Sequence, residues 1–362
     1  MGLGDILLSG SQIADIRPHI DFSYPGTRVI DAGGRRVIPG LIDQHVHVTG
    51  GGGESGFASR VPELTLSTAI RAGVTTLVGL LGTDSRTRSV ENLFAKTKAL
   101  NEEGLTAYCL TGAYEYPSPT LTGSVGNDIV FVNECIGVKL AISDHRSSNV
   151  TKEELIRLAS EARIAGLISK KPGFVHLHTG VDKAKLDMLV DILQTTPIPA
   201  KQFRPTHLGK CVDAAAQFAR LGGYIDFTSG ERPSQSAEKL REAMDKAPFD
   251  RITLSSDSNG SMPKWGPNWE LVGITAASMT TLYQTILALH REQGVPFEKA
   301  LCPVTETVAK ALELYPKKGC LQPGSDADLL ILGDSLEIQW VIAKGRVMME
   351  ESKVIVKGMY ED

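Results

Sequence analysis

Eight short apolar runs alternate with amphipathic segments through the middle of the chain, and no other feature constrains the fold as strongly. Short apolar runs separated by segments of helical periodicity predict parallel strands joined by helical crossovers. Eight such strands are the number that closes a (β/α)8 barrel. The predicted strands are 41–47, 75–82, 106–110, 138–143, 174–178, 202–207, 224–228 and 252–257. We therefore predict an α/β fold of the (β/α)8 TIM-like barrel class.

The two ends of the chain have a different pattern. Short β-type segments separated by glycine turns occur near both termini, as in DILLSG and RVIDAGGRRVIPG at one end and DADLLILG and EIQWVIAKG at the other. Because the barrel strands lie between them, we predict one small β-sandwich domain formed from residues 1–39 and 321–362. The barrel then occupies residues 40–320.

The segment after the eighth strand is expected to be irregular before it becomes helical. Residues 258–271 contain glycine, proline and tryptophan, and we predict a loop there that covers the barrel mouth. Two long helices are predicted to follow, at about 272–293 and 297–313.

Composition excludes several classes of function. The net charge is −4, which argues against nucleic acid as a partner. No apolar stretch approaches the ~18 residues of a membrane span, and no basic N-terminal segment precedes an apolar run as in a signal peptide. The five cysteines are scattered and form no CxxC pair, so we predict free thiols and a cytoplasmic location.

Four histidines and one carboxylate at strand ends indicate a metal site. His45 and His47 are two residues apart on the first predicted strand and therefore project to one face. His178, His207 and Asp257 end the predicted strands 5, 6 and 8, where barrel enzymes build their active sites. Each residue alone is more often structural. Together the five are typical of a site for a divalent cation such as Zn²⁺.

At this point the sequence resembles the amidohydrolase superfamily, and within it the isoaspartyl dipeptidase (β-aspartyl peptidase) family. The matching strings extend across nearly the whole barrel. They are PGLIDQHVHVTGGGGE, GLLGTDS, LTGAYEYPSPTLTGS, GVKLAISDHRS, HTG, PTH, LSSDSNGS and GSDADLL. The resemblance implies a metal-dependent hydrolase of amide bonds, an omega-peptidase acting on small β-aspartyl dipeptides, and a homo-oligomer.

The resemblance also implies two Zn²⁺ ions per subunit, with Co²⁺ or Mn²⁺ as possible substitutes. The implied ligands are His45, His47, Lys139, His178, His207 and Asp257. In this family the first ion takes the first two histidines and the aspartate, and the second ion takes the other two histidines. Lys139 corresponds to an N-carboxylated lysine that bridges both ions, a modification that its strand position alone does not suggest.

The implied catalytic residues are Asp257 and Tyr114. A metal-bridging hydroxide attacks the amide, because a bound metal lowers the pKa of water. Asp257 corresponds to the residue that takes the proton and passes it to the leaving amine. Tyr114 corresponds to the residue that polarises the scissile carbonyl.

A further set of residues corresponds to the family's substrate-binding groups. They are Glu54, Gly52, Gly53, Thr83, Arg146, Lys210 and Ser261. By resemblance, Glu54 and Ser261 hold the substrate α-ammonium, while the glycines form a carboxylate cradle with Thr83. Arg146 matches a carboxylate-binding arginine, a role that suits its bidentate guanidinium.

Lys210 departs from the family pattern, which has arginine there. Lysine keeps the charge but loses the planar fork that binds a carboxylate. An amidohydrolase reaction on cyclic amides or N-acyl amino acids, of the hydantoinase, dihydroorotase or deacylase type, therefore stays open as an alternative. A non-catalytic scaffold is a second alternative, but such relatives typically lose metal ligands and this chain keeps all six.

Overall fold

The computed structural model describes residues 2–180, 186–268 and 270–361. The strands of the described residues are, in chain order, β1 (Asp5–Ser9), β2 (Gln12–Arg17), β3 (Val37–Pro39), β4 (Leu41–Val46), β5 (Val74–Gly79), β6 (Thr106–Gly112), β7 (Cys135–Ile142), β8 (Phe174–Thr179), β9 (Phe203–Thr206), β10 (Ile225–Thr228), β11 (Ile252–Ser255), β12 (Ser261–Trp265), β13 (Leu271–Ala276), β14 (Leu329–Leu332), β15 (Ile338–Ala343), β16 (Arg346–Glu350) and β17 (Lys353–Val354).

The α-helices lie mainly between the barrel strands. They are α1 (Leu66–Arg71), α2 (Val90–Glu102), α3 (Val125–Phe131), α4 (Lys152–Ser169), α5 (Asp187–Thr195), α6 (Val212–Arg220), α7 (Pro233–Lys246), α8 (Thr280–Arg291), α9 (Phe297–Leu301) and α10 (Glu306–Ala311). Local sequence accounts for several of their ends. The longest, α4, begins with a capping box in which Thr151 and Glu154 satisfy each other's backbone N–H groups.

The eight predicted barrel strands are confirmed as β4 to β11. Strands β4 to β9 form one parallel sheet in sequence order, and β10 pairs in parallel with β11. β10 lies against β9, and β11 lies against β4, which closes the ring. Their side chains are almost entirely buried, as expected for a parallel sheet covered on both faces. The fold is a TIM-like barrel with an additional β-rich unit.

That unit is formed by both ends of the chain. Strand β3 pairs with β14, and the sheet continues through β15, β16 and β17. One face of this sheet packs into the main core through Leu330 and Val341, and the other face carries Trp340 and Ile342 against the N-terminal segment. The hairpin of β1 and β2 joins it through a bridge between Gln12 and Asp326.

Three expectations for the segment after the eighth strand are wrong. Residues 258–271 are not an irregular loop throughout, because β12 and β13 form an antiparallel hairpin there. The helix predicted from 272 therefore begins only at Thr280. The helix predicted over 297–313 is broken into α9, a short 3-10 turn and α10, and Pro303 lies at the break.

All five cysteines are free thiols, as predicted, and three of them are buried. None of the described helices has the length and apolar content needed to cross a membrane.

Candidate active site

The two histidines of the His-X-His string lie side by side at the mouth of the barrel. His45 is buried within β4, and His47 follows the last residue of that strand. Their imidazole rings are 5.4 Å apart. Asp257, two residues beyond β11, places Oδ1 3.2 Å from His45 Nε2 and 3.1 Å from His47 Nε2. The ligand atoms of the three residues lie within 4.8 Å of one another, close enough to hold one cation.

The other three predicted ligands come from neighbouring strands. Lys139 lies in β7 and His178 in β8, while His207 follows β9. Lys139 Nζ is 3.4 Å from His45 Nε2. The His207 ring lies 5.0 Å from that of His45 and 4.6 Å from that of His178. The structure thus brings all six side chains together at the carboxyl ends of the strands, where barrel enzymes place their chemistry.

Two of the six residues have a left-handed backbone. The φ angle is 66° at His207 and 57° at Asp257. Residues with a Cβ atom rarely adopt this conformation, although aspartate and histidine do so more often than most. Backbone held in such regions is concentrated at functional sites, so this geometry supports a chemical role for the cluster.

Burial determines the protonation of the cluster. Removal from water lowers the pKa of His45 to about 3 and that of His178 to about 4, and it holds the pKa of His207 well below its usual range. The same cause lowers the pKa of Lys139 to about 7. These imidazoles are therefore neutral at pH 7, which is the form in which histidine binds a metal ion.

Asp257 is the anionic member of the cluster. Burial by itself raises its pKa, but the interactions with His45 and His47 outweigh burial and hold the pKa well below its usual range. His47 Nδ1 is buried and has no hydrogen-bond partner among the described residues. A buried set of imidazoles and one carboxylate, with a nitrogen left unpaired, fits a divalent cation of the Zn²⁺ type.

His176 and Asp226 make hydrogen bonds that position the predicted metal ligands. His176 Nε2 lies 2.9 Å from His45 Nδ1, which leaves His45 Nε2 for the side of Asp257. Such outer contacts fix the tautomer and orientation of a ligating histidine. Asp226 is buried below the cluster and accepts a hydrogen bond of 2.6 Å from Thr206, the residue before His207.

Glu54 lies beside the histidine cluster and is held by three donors. Its Oε1 accepts hydrogen bonds from Ser261 Oγ at 2.6 Å, Arg146 at 3.2 Å and Thr83 Oγ1 at 3.4 Å. Its Oε2 is buried and has no partner among the described residues. A buried carboxylate with one unpaired oxygen is a site for a further hydrogen-bond donor or a cation.

Arg146 is fixed by Asp144, a residue that the sequence analysis did not assign. The guanidinium Nε and Nη2 donate to the two carboxylate oxygens, both at 3.0 Å. Asp144 Oδ2 also lies 2.9 Å from His178 Nε2. Burial raises the pKa of Asp144 by itself, but these hydrogen bonds hold it well below its usual range. Asp144 therefore links Arg146, a predicted substrate-binding residue, to His178, a predicted metal ligand. Its position two residues before Arg146 was the sequence feature from which this role could have been predicted.

Tyr114 lies two residues after the end of β6 and contacts the cluster. Its hydroxyl lies 2.6 Å from His178 Nδ1, and Lys139 Nζ lies 5.7 Å from its ring centre. Burial raises the pKa of Tyr114 well above its usual value, so the phenol is protonated at neutral pH. A buried O–H donor next to the predicted ligands suits stabilisation of negative charge on a substrate oxygen.

The glycine run before Glu54 permits a close approach of two chain segments. A Cβ atom at Gly52 would lie 2.2 Å from the Ser59 carbonyl oxygen, and φ there is 89°. Gly51 N–H donates to the Asn259 carbonyl at 2.7 Å and joins this loop to the one after Asp257. Gly53 also has a positive φ, of 99°.

Lys210 stands apart from the groups described above. It is exposed at the end of a short 3-10 turn after His207. Within residues 2–180, 186–268 and 270–361, its side chain makes no hydrogen bond and no ion pair. The structure therefore brings together the other predicted substrate-type side chains and leaves Lys210 at the periphery.

Comparisons with known proteins agree with this arrangement. The model of the amidohydrolase family matches residues 227–358. A structure of β-aspartyl dipeptidase from the thermophilic keratin-degrading Fervidobacterium islandicum AW-1, in complex with β-Asp-Leu, is 40% identical with a TM-score of 0.93 and covers 98% of this chain and 94% of its own. A second structure of β-aspartyl dipeptidase from that organism is 38% identical with a TM-score of 0.89 and covers 97% and 94%.

A more distant relative is L-hydantoinase of Paenarthrobacter aurescens, which is 24% identical over 91% of this chain and 81% of its own length. The 40% identity over nearly the whole of both chains, together with the metal-type cluster at the barrel mouth, identifies the family. The chain belongs to the isoaspartyl (β-aspartyl) dipeptidase family of the amidohydrolase superfamily, and it is a hydrolase of amide bonds.

Proposed function

We propose that this protein hydrolyses β-aspartyl dipeptides with two zinc ions bound in the barrel mouth. The observation that carries the proposal is the pairing of Glu54 with Arg146, 3.2 Å apart, beside the six ligand-type side chains. Two opposite charges held next to a metal-type cluster match a substrate whose reactive end is a zwitterion.

A β-aspartyl residue has its α-ammonium and α-carboxylate on one carbon atom, and both are free. We infer that the ammonium binds the unpaired Oε2 of Glu54, with Ser261 completing the contact, and that the carboxylate binds Arg146. An ordinary α-aspartyl dipeptide lacks the free α-carboxylate, because that group forms its peptide bond. The relative crystallised with β-Asp-Leu supports this choice of substrate.

The proposed metal ligands divide into two sets around one shared residue. His45, His47 and Asp257 would hold one ion, His178 and His207 would hold the other, and Lys139 would bridge them. When bound, such a centre lowers the pKa of an attacking water and polarises the scissile carbonyl. Co²⁺ or Mn²⁺ could replace Zn²⁺ at nitrogen and oxygen ligands.

Lys139 would act as its N-carboxylated form. Its lowered pKa, about 7, leaves a large fraction of neutral amine at neutral pH. The amine lone pair adds to carbon dioxide, the N–C bond forms, and one N–H proton is released to water. The product is a carbamate anion, which has two oxygen donors where the amine had one nitrogen. It would add negative charge to a cluster whose anionic member is Asp257.

The chain's own groups would handle the protons of the reaction. Asp257, held ionised by its histidine neighbours, would take a proton on Oδ1 or Oδ2 and pass it to the leaving amine. Tyr114, held protonated by burial, would donate its O–H to the oxygen of the scissile carbonyl as negative charge develops.

One alternative stays open, an amidohydrolase reaction on cyclic amides or N-acyl amino acids. The likeness to L-hydantoinase and the exposed position of Lys210 favour it. The pair of Glu54 and Arg146 argues against it, because a cyclic amide or acylated substrate has no free ammonium for Glu54 to bind.

The test compares substrates on the zinc-loaded protein in bicarbonate. We expect release of leucine from β-Asp-Leu and no comparable turnover of α-Asp-Leu, dihydroorotate or hydantoin. Glu54→Gln should weaken kcat/KM for β-Asp-Leu by about 10- to 100-fold, the effect of losing a hydrogen bond to a charged group. Glu153→Gln, an exposed change on α4, is the matched control and should leave turnover unaltered. Preferred opening of a cyclic amide would overturn the substrate assignment.

A cytoplasmic location, a homo-oligomer and the domain limits at residues 39/40 and 320/321 stay predictions. The structure supports the last of these in one respect, since β3 ends at Pro39 where β4 of the barrel begins at Leu41.

A further inference from the structure

A cavity lies at the opposite end of the barrel from the metal-type cluster. Its volume is about 130 Å³. Its lining includes Phe174, the first residue of β8, and Tyr224 and Arg251, which directly precede β10 and β11. The amino ends of parallel strands meet at one face of a barrel, so this cavity belongs to the face that barrel enzymes do not use for catalysis.

Arg204 of β9 lines this cavity and is 1% exposed. Its guanidinium carbon lies 4.1 Å from the ring centre of Phe174 and 5.4 Å from that of Tyr224. One nitrogen donates to the Ala311 carbonyl at 2.6 Å and another to Gln44 Oε1 at 3.3 Å.

The charge of Arg204 is only partly compensated. Its Nε is buried and has no partner among the described residues, and none of the ion pairs found within them includes Arg204. Its direct contacts are rings, a carbonyl and an amide, and the nearby carboxylates of Asp226 and Glu313 attract it without forming an ion pair with it, whereas buried ions are normally paired directly. Burial accordingly lowers the pKa of Arg204, to about 10.

Three further cations line the same cavity, and the lining contains only one carboxylate. The cations are Lys201, Arg251 and Lys310, and the carboxylate is Glu313, which pairs with Lys201 at 3.0 Å. Arg251 Nε lies 3.8 Å from Asp250 Oδ2, a long ion pair, and Lys310 pairs with Glu306. Asp226 also attracts Arg204, but it forms none of the ion pairs found among the described residues, so Arg204 has no direct anionic partner in the cavity.

We propose that this cavity binds a small tetrahedral oxyanion of the phosphate class. Two guanidinium groups and two ammonium groups come from three different segments around the cavity, so their donors are not confined to one plane. That arrangement suits a phosphate better than a carboxylate, which a single arginine fork can satisfy. The anion would neutralise Arg204 and tie the start of β11 to α10 at the bottom of the barrel.

The experiment measures thermal unfolding of the zinc-loaded protein in increasing phosphate, against chloride at equal ionic strength. We expect a saturable rise in Tm with phosphate, because a ligand of the native state stabilises it. Arg251→Ala should weaken the apparent phosphate affinity about tenfold or more, the usual effect of removing a charged hydrogen-bond donor. Arg241→Ala, which removes a half-buried arginine of α7 away from the cavity, is the matched control and should leave the phosphate response unchanged.

Two further arms separate the sources of any response. Phosphate bound at the zinc ions would raise Tm equally in wild type and in Arg251→Ala, and that result would overturn the proposal. Lys201→Ala provides a second cavity variant in case Arg251→Ala unfolds, and it should also weaken the response. Acetate in place of phosphate should produce no saturable rise; an acetate response lost in both cavity variants would contradict the tetrahedral class. If wild type shows no saturable response, the cavity does not bind phosphate, and its cations have only a structural role at this end of the barrel.

Discussion

At the scale of single residues, Asp144 connects two functions that the sequence presents as separate. It holds Arg146 through two hydrogen bonds and also contacts His178. The strings around it resemble the family closely, yet Asp144 was not assigned a role. A sequence identifies groups that match a known chemical function, but a residue that orients other residues is recognisable only from its contacts.

Replacing Asp144 should therefore disturb substrate binding through Arg146. We expect Asp144→Asn to raise KM for β-Asp-Leu by about tenfold, because the arginine loses a charged partner. Asp144→Glu should restore part of the loss, while Asp245→Asn, at an exposed ion pair of α7, should change neither constant. Steady-state kinetics at saturating zinc provide the check. An unchanged KM in Asp144→Asn would remove its positioning role.

Lys139 leads to a pH prediction at the same scale. Burial lowers its pKa to about 7, so the neutral amine, which alone reacts with carbon dioxide, increases as pH rises through 7. From pH 6 to pH 8 the neutral fraction grows about tenfold and then levels off. We expect the initial rate at which metal-free, decarboxylated protein regains activity to follow the neutral fraction of Lys139 as pH changes, at constant dissolved carbon dioxide. A rate that keeps rising tenfold per pH unit above pH 8 would mean that the pKa of Lys139 is that of an ordinary lysine.

At the scale of elements, the eight barrel strands follow from the pattern of apolar runs, and the segment after β11 does not. The hairpin of β12 and β13 is half-exposed, so its residues carry no clear alternation of apolar and polar side chains. A strand that lies over a barrel mouth is specified by its contacts below rather than by its own pattern. The helix break at Pro303 could have been predicted from the sequence, because proline interrupts an α-helix.

The hairpin contributes Trp265 to the mouth of the barrel. Its ring lies 6.0 Å from the guanidinium carbon of Arg146 and 4.8 Å from the ring of His145. We expect Trp265→Ala to raise KM for β-Asp-Leu by roughly two- to fivefold, the scale of an exposed cation–π contact. Val272→Ala, at a 65% exposed position on the paired strand, should have no effect on KM. Equal effects of the two variants would mean that the hairpin acts only through its general stability.

At the scale of the whole molecule, the alternation of strands and helices predicted the barrel, and the β-rich ends predicted the additional unit. The way in which the two are joined could not be predicted, because it depends on buried polar contacts between distant segments. Lys318 is 4% exposed, pairs with Asp326 at 2.8 Å and with Asp328, and donates to Thr106 Oγ1 of β6 at 2.8 Å.

Lys318 should therefore be important for the stability of the whole chain. Lys318→Met would leave two carboxylates without their cation, and we expect a loss of about 3–5 kcal/mol in the free energy of unfolding. Its exposed neighbour is the matched control, and Lys317→Met should stay within about 0.5 kcal/mol of wild type. Denaturant unfolding of both variants measures the difference. A small effect at Lys318 would mean that water or relaxation compensates the carboxylates.

The central claim is that the barrel mouth holds two metal ions and uses them on a β-aspartyl substrate. The most direct measurement is the rate of β-Asp-Leu hydrolysis as zinc is added to metal-free protein in bicarbonate, with bound zinc determined in the same samples. The account predicts that activity rises until two zinc ions are bound per chain and then stays constant. Full activity without bound metal, or no turnover of β-Asp-Leu with two ions bound, would contradict it.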